Sequence, residues 1–473
     1  NMNPHKALGP DGMTPLFFQT YWDIIRKDVV EAVQAFFHSS HMLKSINHTL
    51  VSLIPKIPAP ASLMHFRPIS LCSVLCKIIS KILVNRLKPV LDKCISKNQS
   101  AFVAGRQILD NVILAHEFLH HLKNKRNGQM GCMAVKLDMS KAYDRVEWDY
   151  LKSMMEKMGF CDTWIKWIMN CITTVSYSFS VNGEARELVK PERGLRQGDP
   201  LSPYLFLICS EGFSSLLRKA EISKKMEGMK ISRKGPTLTH LFFADDSLIL
   251  SKAEPKEAKE LKAILNKYEA TSGQLINLEK SSVFFSKNVE QRVKEAIGEE
   301  LRGIRAVHQG KYLGLPMIIT RSKEQIFGFI RDNIRKKMEH WKTRLLSPAG
   351  KETLLKAITM AMPTYAMSCY KLSHKLCKEI NSLMAKCWWG QKENKDKQHW
   401  IAWERCIRTK EDGGMGFKDM QQFNKALLAK QVWRIMTQPN LLVSKFLKSK
   451  YFQEGPILES QSPKLHPGFG NAA

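Results

Sequence analysis

Two kinds of hydrophobic period run along this chain, and they divide it into strands and helices. The apolar runs Leu241-Phe242-Phe243 and Ser247-Leu248-Ile249-Leu250 flank Ala244-Asp245-Asp246, which predicts a hairpin with acids at its turn. Ala134-Val135-Lys136-Leu137 is a second strand-like run, ending in Asp138. Helically spaced apolar residues follow it at Tyr143, Val146, Trp148, Leu151, Met154 and Met155. Val283-Phe284-Phe285 predicts another strand. Helical stripes occur at Trp22, Ile25, Val29, Val33 and Phe36-Phe37, from Cys72 to Leu91, and at Leu205, Phe206, Ile208, Phe213 and Leu216. Further helices are predicted over Asn266–Ile276, ending near Gly273, across most of 320–390, and over Ala426–Met436. Ile54-Pro55-Lys56-Ile57-Pro58-Ala59-Pro60 reads as a rigid extended break. The tail after Tyr451, rich in Pro, Gly and Ser, is predicted to be disordered. The mixture predicts an α+β fold, and 473 residues exceed one compact core, so two to four domains or subdomains are expected.

Charge narrows the class of partner. The formal net charge is +29, and between Leu301 and Lys450 there are 30 Lys and Arg against 11 Asp and Glu, a net of +19 in one third of the chain. Such asymmetry suits a polyanion, with salt-dependent binding through counterion release, although a merely basic protein is the plainer alternative. The 11 cysteines show no paired framework, which favours a reduced, intracellular setting. No apolar run approaches the roughly eighteen residues of a membrane span. The chain opens on Asn1 rather than Met, as expected of a piece of a longer reading frame.

The acids carry the candidate chemistry. Adjacent carboxylates at a hairpin tip, with a third at a neighbouring strand end, suit Mg²⁺, which favours a few carboxylates together with substrate phosphate oxygens. Two-metal phosphoryl transfer needs carboxylates from separate elements at one spot, with ions about 3.5–4 Å apart. Asp138 and Asp245 are the candidate ligands, with Asp246 completing the shell; a solvated surface turn is the alternative for the pair alone. Between these segments lies Gly194-Leu195-Arg196-Gln197-Gly198-Asp199-Pro200-Leu201-Ser202-Pro203. Its glycines allow close backbone approach, and its prolines lead into a helix.

In this order, the strand-end Asp, the Gln-Gly-Asp-Pro-Leu-Ser-Pro loop and the Phe-Ala-Asp-Asp hairpin resemble the palm of reverse transcriptases, in particular those of non-LTR (LINE-type) retrotransposons common in plant genomes. Gly9-Pro10-Asp11-Gly12 resembles the family's entry motif. Phe66-Arg67-Pro68-Ile69-Ser70-Leu71 and Gln99-Ser100-Ala101-Phe102-Val103-Ala104-Gly105-Arg106 resemble its fingers, and Lys311-Tyr312-Leu313-Gly314-Leu315-Pro316 its primer grip. The resemblance covers about residues 4 to 450. It implies a polymerase right hand: fingers over 1–130, palm over 131–300, primer grip and basic helical thumb over 301–400, and a C-terminal extension over 401–473.

The implied activity is RNA-directed DNA polymerisation, in which a primer 3′-hydroxyl attacks the α-phosphate of a dNTP. It requires two Mg²⁺ ions, with Mn²⁺ able to substitute. The implied partners are an RNA template, a DNA primer and dNTPs, with no membrane. By the same resemblance Arg67, with Lys56 assisting, contacts the nucleotide phosphates, and backbone N–H groups of Met139, Ser140, Lys141 and Ala142 hold the triphosphate at a strand-to-helix turn. Tyr143 places a ring beneath the sugar and disfavours a 2′-hydroxyl. Gln197 and Gly198 line the nucleotide and template base, and Lys280 stands where a proton donor to pyrophosphate is proposed. Leu313 and Gly314 belong to the primer grip. The plainer alternatives are a core aromatic for Tyr143, a solvated surface cation for Arg67 and a simple turn at Gly198. Localisation to the nucleus with a cytoplasmic ribonucleoprotein stage is implied.

Segments like the upstream endonuclease or the downstream RNase H of full-length relatives are not recognised in the chain. The alternative function is a catalytically inactive, nucleic-acid-binding remnant of the same fold. His116-Glu117-Phe118-Leu119-His120 spells a zinc-protease pattern, but it lacks a clear third ligand nearby. Cys369, Cys377, Cys387 and Cys406 lack close metal spacing. Trp388-Trp389, Trp400 and Trp403 alternate with Lys and His, which fits either strand stacking or helix packing.

Overall fold

The computed structural model describes residues 2–318, 323–338, 345–390 and 399–452, so the predicted disordered tail lies outside the described residues apart from its first position, Phe452. The chain divides into two compact units. The first comprises Asn1–Gln107, Lys125–Met229 and Thr237–Val307; the second comprises Ile108–Asn124, Lys230–Pro236 and His308–Ala473.

Among the described residues the first unit holds nine strands: β1 (His48–Pro55), β2 (Phe66–Cys72), β3 (Cys132–Leu137), β4 (Ser176–Val181), β5 (Glu184–Val189), β6 (His240–Phe243), β7 (Asp246–Lys252), β8 (Ser282–Phe285) and β9 (Arg305–Ala306). They form a five-stranded sheet of order β6-β7-β3-β8-β9 and a four-stranded sheet of order β2-β1-β4-β5. In the larger sheet β7 and β8 both pair antiparallel with β3. Met133, Ala134, Val135 and Leu137 of β3, and Leu248, Ile249 and Leu250 of β7, are buried, so these central strands read as near-continuous apolar runs rather than as alternating ones.

Helices cover the larger sheet. Phe213, on the helix Ser202–Ile222, stacks on Phe242 of β6 with ring centroids 5.3 Å apart, and on Tyr268 of the helix Pro255–Ser272 at 4.8 Å. Burying rings of this size contributes about 1.5–3 kcal/mol each. Pro203 occupies the first turn of its helix, where its missing N–H costs nothing. The other helix ends on Gly273 in the left-handed conformation (φ +74°), with its start at Pro255, well before the predicted Asn266.

The expected Cys72–Leu91 helix spans Val74–Leu87, capped by the Ser73 hydroxyl, which accepts from the Cys76 N–H. The helix expected directly after Asp138 begins only at Trp148; Met139 bridges Ile276 and residues 140–145 form a turn instead. Neither strand of the β1–β2 pair is predicted from the sequence, where only the extended break over 54–60 is expected, overlapping the end of β1.

The second unit is mainly helical. Phe327, Ile330 and Ile334 of the helix Lys323–Met338 share a core with Leu376, Ile380 and Met384 of the helix His374–Trp389 and with Met420 of the helix Met420–Thr437. A further helix, Leu442–Tyr451, not predicted from the sequence, follows the one expected over Ala426–Met436. Trp403 stacks on Phe417 at 5.1 Å and Trp388 meets it edge-on at 5.5 Å, so both are packing residues, whereas Trp400 is 79% exposed.

Candidate active site

Strand register brings the three predicted acids together. β6 and β7 pair up to Phe243↔Asp246, leaving Ala244-Asp245 as a two-residue loop. On the other side of β7, Ser247 faces Leu137, so Asp138, one residue beyond β3, lies beside Asp246. Burial raises the Asp245 carboxyl above its usual range, and the nearby Asp138 charge adds to the rise, against partial relief from Arg67. Burial, then the charges of Asp245 and Asp138, lift Asp246 to about 6, with Lys136 opposing. Among the described residues none of the three carboxylates is in an ion pair, and no three His, Cys, Asp or Glu side chains gather tightly enough to hold an ion by themselves.

The backbone under these acids is pinned instead. Asp138 N–H donates to Ser281 Oγ (3.2 Å), and Asp138 C=O accepts from Asn277 N–H (2.8 Å). Lys280 sits exposed on that same 277–281 turn, its N–H donating to Asn277 Oδ1 (3.2 Å). Of the four N–H groups proposed for phosphate, that of Ser140 is already used by the Leu275 carbonyl (2.7 Å). Those of Met139, Lys141 and Ala142 donate to no described residue. They lie on an irregular turn, with Lys141 at φ +51°, and not at a helix start.

Tyr143 is half-buried, its ring stacked on Phe206 with centroids 5.2 Å apart and planes 13° off parallel. Burial pushes its hydroxyl up to about 12, with the Asp245 charge contributing, so the ring stands near the acids. Arg67, exposed on β2, lies close enough to Asp245 for its charge to be felt.

The 194–203 loop is set by a buried ion pair. Arg196 Nη2 lies 2.5 Å from Asp199 Oδ2, each side chain 3% exposed. Arg196 also donates to Asn47 Oδ1 (2.5 Å) and Cys171 C=O (3.3 Å), while Asp199 Oδ1 accepts the Leu201 N–H (2.8 Å). Gln197 C=O accepts from Ser70 N–H (2.7 Å), and Gln197 Nε2 donates to Asp144 Oδ1 (3.4 Å). Burial raises the Asp144 carboxyl, against Lys141, the Gln197 bond and Lys56. Gly198, at φ +116°, is required: a Cβ there would stand 3.1 Å from Ser70 O. Sequence reasoning missed Asp144, Arg196 and Asp199 as parts of this constellation. Their only signal was position within the quoted motifs.

Leu313 and Gly314 belong to the second unit. They form the two-residue turn between β10 (Lys311–Tyr312) and β11 (Leu315–Pro316), with φ +49° and +79°, the signs of a type I′ hairpin turn. Tyr365 Oη donates to the Leu313 carbonyl (2.8 Å). In the same unit Glu117 accepts from Lys450 (2.5 Å) and Tyr451 Oη (2.9 Å), which engages the acid of the His-Glu-x-x-His pattern in helix packing.

An α+β unit with acids at one strand end and one hairpin tip, joined to a helical basic unit, defines a right-hand polymerase fold. A family model described as "Reverse transcriptase (RNA-dependent DNA polymerase)" matches residues 54–317, and the chain belongs to that family. It is 26% identical over 419 residues to the transposon TX1 uncharacterized 149 kDa protein of Xenopus laevis, covering 87% of this chain and 31% of that protein. It is 50% identical over 101 residues to an uncharacterized mitochondrial protein of Arabidopsis thaliana, covering 21% of this chain and 66% of that one. The Pol polyprotein from the type-1 retrotransposable element R2 of Nasonia vitripennis is 27% identical over 267 residues, which is 56% of this chain and 24% of the polyprotein. The chain thus spans under a third of the TX1 and R2 proteins. A solved telomerase from Candida tropicalis resembles it at TM-score 0.41 and 12% identity, covering 91% of this chain and 67% of that one.

Proposed function

We propose that the chain is the polymerase portion of a plant non-LTR retroelement protein and extends a DNA primer on an RNA template with dNTPs. The observation that carries this reading is the gathering of Asp138, Asp245 and Asp246, mutually repelling and without ion-pair partners among the described residues, beside Tyr143 and Arg67. Acids whose repulsion Arg67 and Lys136 only partly relieve fit divalent ions that bring further oxygens with them. Mg²⁺ bound by carboxylates plus substrate phosphates matches such an incomplete cage.

Asp138 and Asp245 would hold two Mg²⁺, or Mn²⁺ in substitution, with Asp246 supporting. The chemistry such ions supply is polarisation of the phosphate and stabilisation of the attacking and leaving oxygens. The remaining work falls to the chain. Arg67 and the N–H groups of Met139, Lys141 and Ala142 bind the triphosphate. Tyr143 lies under the sugar and selects against the 2′-hydroxyl. Gln197, oriented by Asp144, and Gly198 line the base pair. As the 3′-hydroxyl oxygen loses its proton to solvent and bonds to the α-phosphorus, the bond from that phosphorus to the oxygen it shares with the β-phosphate breaks, and Lys280 donates a proton to the departing pyrophosphate. Residues 1–130 would act as fingers, 131–300 as palm, 301–400 as primer grip and thumb, and 401–473 as an extension. Action in the nucleus after a cytoplasmic ribonucleoprotein stage completes the reading.

Primer extension on an RNA template with Mg²⁺, comparing the native chain with Asp245→Asn, tests it. Extension should fall by at least about 100-fold, the scale for losing one transition-state electrostatic contact, with template–primer affinity kept. Undiminished extension by Asp245→Asn overturns the mechanism. Tight template binding without extension by the native chain would instead identify a binding remnant.

A further inference from the structure

The Phe-Ala-Asp-Asp hairpin has an unfavourable residue at its turn. A two-residue hairpin loop with positive φ at its first position ordinarily carries glycine there, because a Cβ crowds the backbone. Here the first position is Ala244, at φ +53°, and the next residue is Asp245. Something outside the hairpin must hold that conformation, since the direction of both acids depends on it.

Gln99 is the group in contact. It is 1% exposed. Its Oε1 accepts the Ala244 N–H at 3.0 Å, and its Nε2 donates to the Ala244 carbonyl at 3.5 Å, so one side-chain amide grips both polar groups of the strained residue. The same Oε1 accepts the Ala101 N–H (3.0 Å), which fixes the amide orientation. The backbone around Gln99 is zipped along β6: Phe242 N–H donates to Asn98 C=O (2.8 Å), Ser100 N–H donates to Phe242 C=O (3.0 Å), and Asn98 Nδ2 donates to His240 C=O (2.8 Å). Arg106 braces this segment from behind. It donates to the carbonyls of Ser96, Gln99 (2.6 Å) and Ile95 (3.1 Å), and pairs with Asp92 (2.7 Å).

We infer that Gln99 is a positioning residue for the reaction: its amide holds Ala244 in the left-handed turn and so aims the Asp245 and Asp246 carboxylates, while touching neither substrate nor acid. This rests on the polymerase reading, but its physical content, the direction of the acids, is measurable without turnover.

The test combines Gln99→Met, which keeps length and removes both polar atoms, with Ala244→Gly, which removes the Cβ that makes the turn unfavourable. Single-turnover dNTP incorporation should slow on the order of 10- to 100-fold in Gln99→Met, the scale for misplacing a reacting group by about an ångström. The KM for dNTP and the template–primer affinity should stay within about twofold, because no ligand contact is lost. On the Ala244→Gly background the same substitution should cost severalfold less. Amide hydrogen exchange supplies the reading that needs no activity: protection of the Ala244 N–H, which is bonded to Gln99 Oε1, should fall at least about tenfold in Gln99→Met, with the loss spreading to the Asp245 and Asp246 amides.

Full activity in Gln99→Met, or an equal penalty on both backgrounds, overturns the inference while leaving the polymerase reading intact. If the native chain does not extend primers, that reading fails separately, and unchanged amide exchange at Ala244, Asp245 and Asp246 in Gln99→Met still overturns the role of Gln99. Should Gln99→Met not fold, Gln99→Asn, one methylene too short to reach Ala244, carries the same comparison.

Discussion

Replacing Asp246 with Asn should make the metal-free protein more stable while abolishing its activity. Asp246 titrates near 6 in the folded chain against 3.8 for an ordinary Asp. An acid with a raised folded-state pKa binds its proton more tightly when folded. Its stabilising contribution is complete below pH 3.8, is lost as pH rises through about 6, and leaves a penalty at pH 7.5. A rise of about two units corresponds to roughly 3 kcal/mol at 1.36 kcal/mol per unit. The carboxylate is only half-buried, so solvent screening reduces this to about 1–2 kcal/mol. Asn is nearly isosteric and uncharged, and removes the penalty. At about 2–4 °C per kcal/mol for a unit of this size, the melting temperature should rise by roughly 2–8 °C. The assay is thermal unfolding of both proteins in EDTA at pH 7.5 and at pH 4.5, then at pH 7.5 with Mg²⁺. The gap should be full at pH 7.5 in EDTA and should shrink at pH 4.5, where native Asp246 is protonated. It should shrink again with Mg²⁺, which stabilises the native acids by binding them. An Asn variant that melts no higher than the native chain in EDTA at pH 7.5, or a gap indifferent to pH, refutes the view that the site stores uncompensated negative charge.

Two further outcomes follow from the same geometry. Arg196→Met should lower stability by about 3–5 kcal/mol in urea unfolding, because Asp199 is left charged and buried; Asp199→Asn added to it should restore part, and no loss in the single variant would mean the pair is dispensable. Tyr143→Ala should raise rNTP relative to dNTP incorporation by about 10- to 200-fold in competitive extension, the scale for one steric contact; an unchanged ratio removes Tyr143 from sugar selection.

What could be read from the sequence was local. The β6–β7 hairpin was legible because two acids interrupt an apolar stretch at hairpin spacing, and β3 because an apolar run ends in one acid. The four-stranded sheet was not, because β5 is exposed along its whole length and carries no burial pattern, and because β1 meets β4 only across more than a hundred residues of chain. The helix misplaced after Asp138 is the instructive error. Tyr143 and Val146 do keep helical spacing, yet backbone partners far along the chain claim the segment. Ser140 N–H donates to Leu275 C=O, Leu195 N–H to Tyr143 C=O, Gly194 N–H to Val146 C=O, and Glu147 N–H to Ser272 C=O. Those tertiary bonds satisfy the groups a helix would have paired internally, so local propensity loses.

The division of labour around the acids explains why the ligand candidates were visible and their supports were not. A cation fixed against Asp138, Asp245 or Asp246 would relieve their repulsion, but it would also compete with any metal or substrate drawn there. The fold therefore restrains the backbone and leaves the carboxylates open. Ser281 and Asn277 take both polar groups of Asp138, Gln99 takes both of Ala244, and the β6–β7 ladder takes Asp246. The strong ion pair of the region, Arg196–Asp199, is spent on shaping a loop. Neutral amides and hydroxyls are suited to this restraint because they orient a peptide group without contributing net charge to the site. They are also the residue types least distinguishable in sequence from ordinary loop polarity. A search for charge finds the acids, and only the folded chain reveals what aims them.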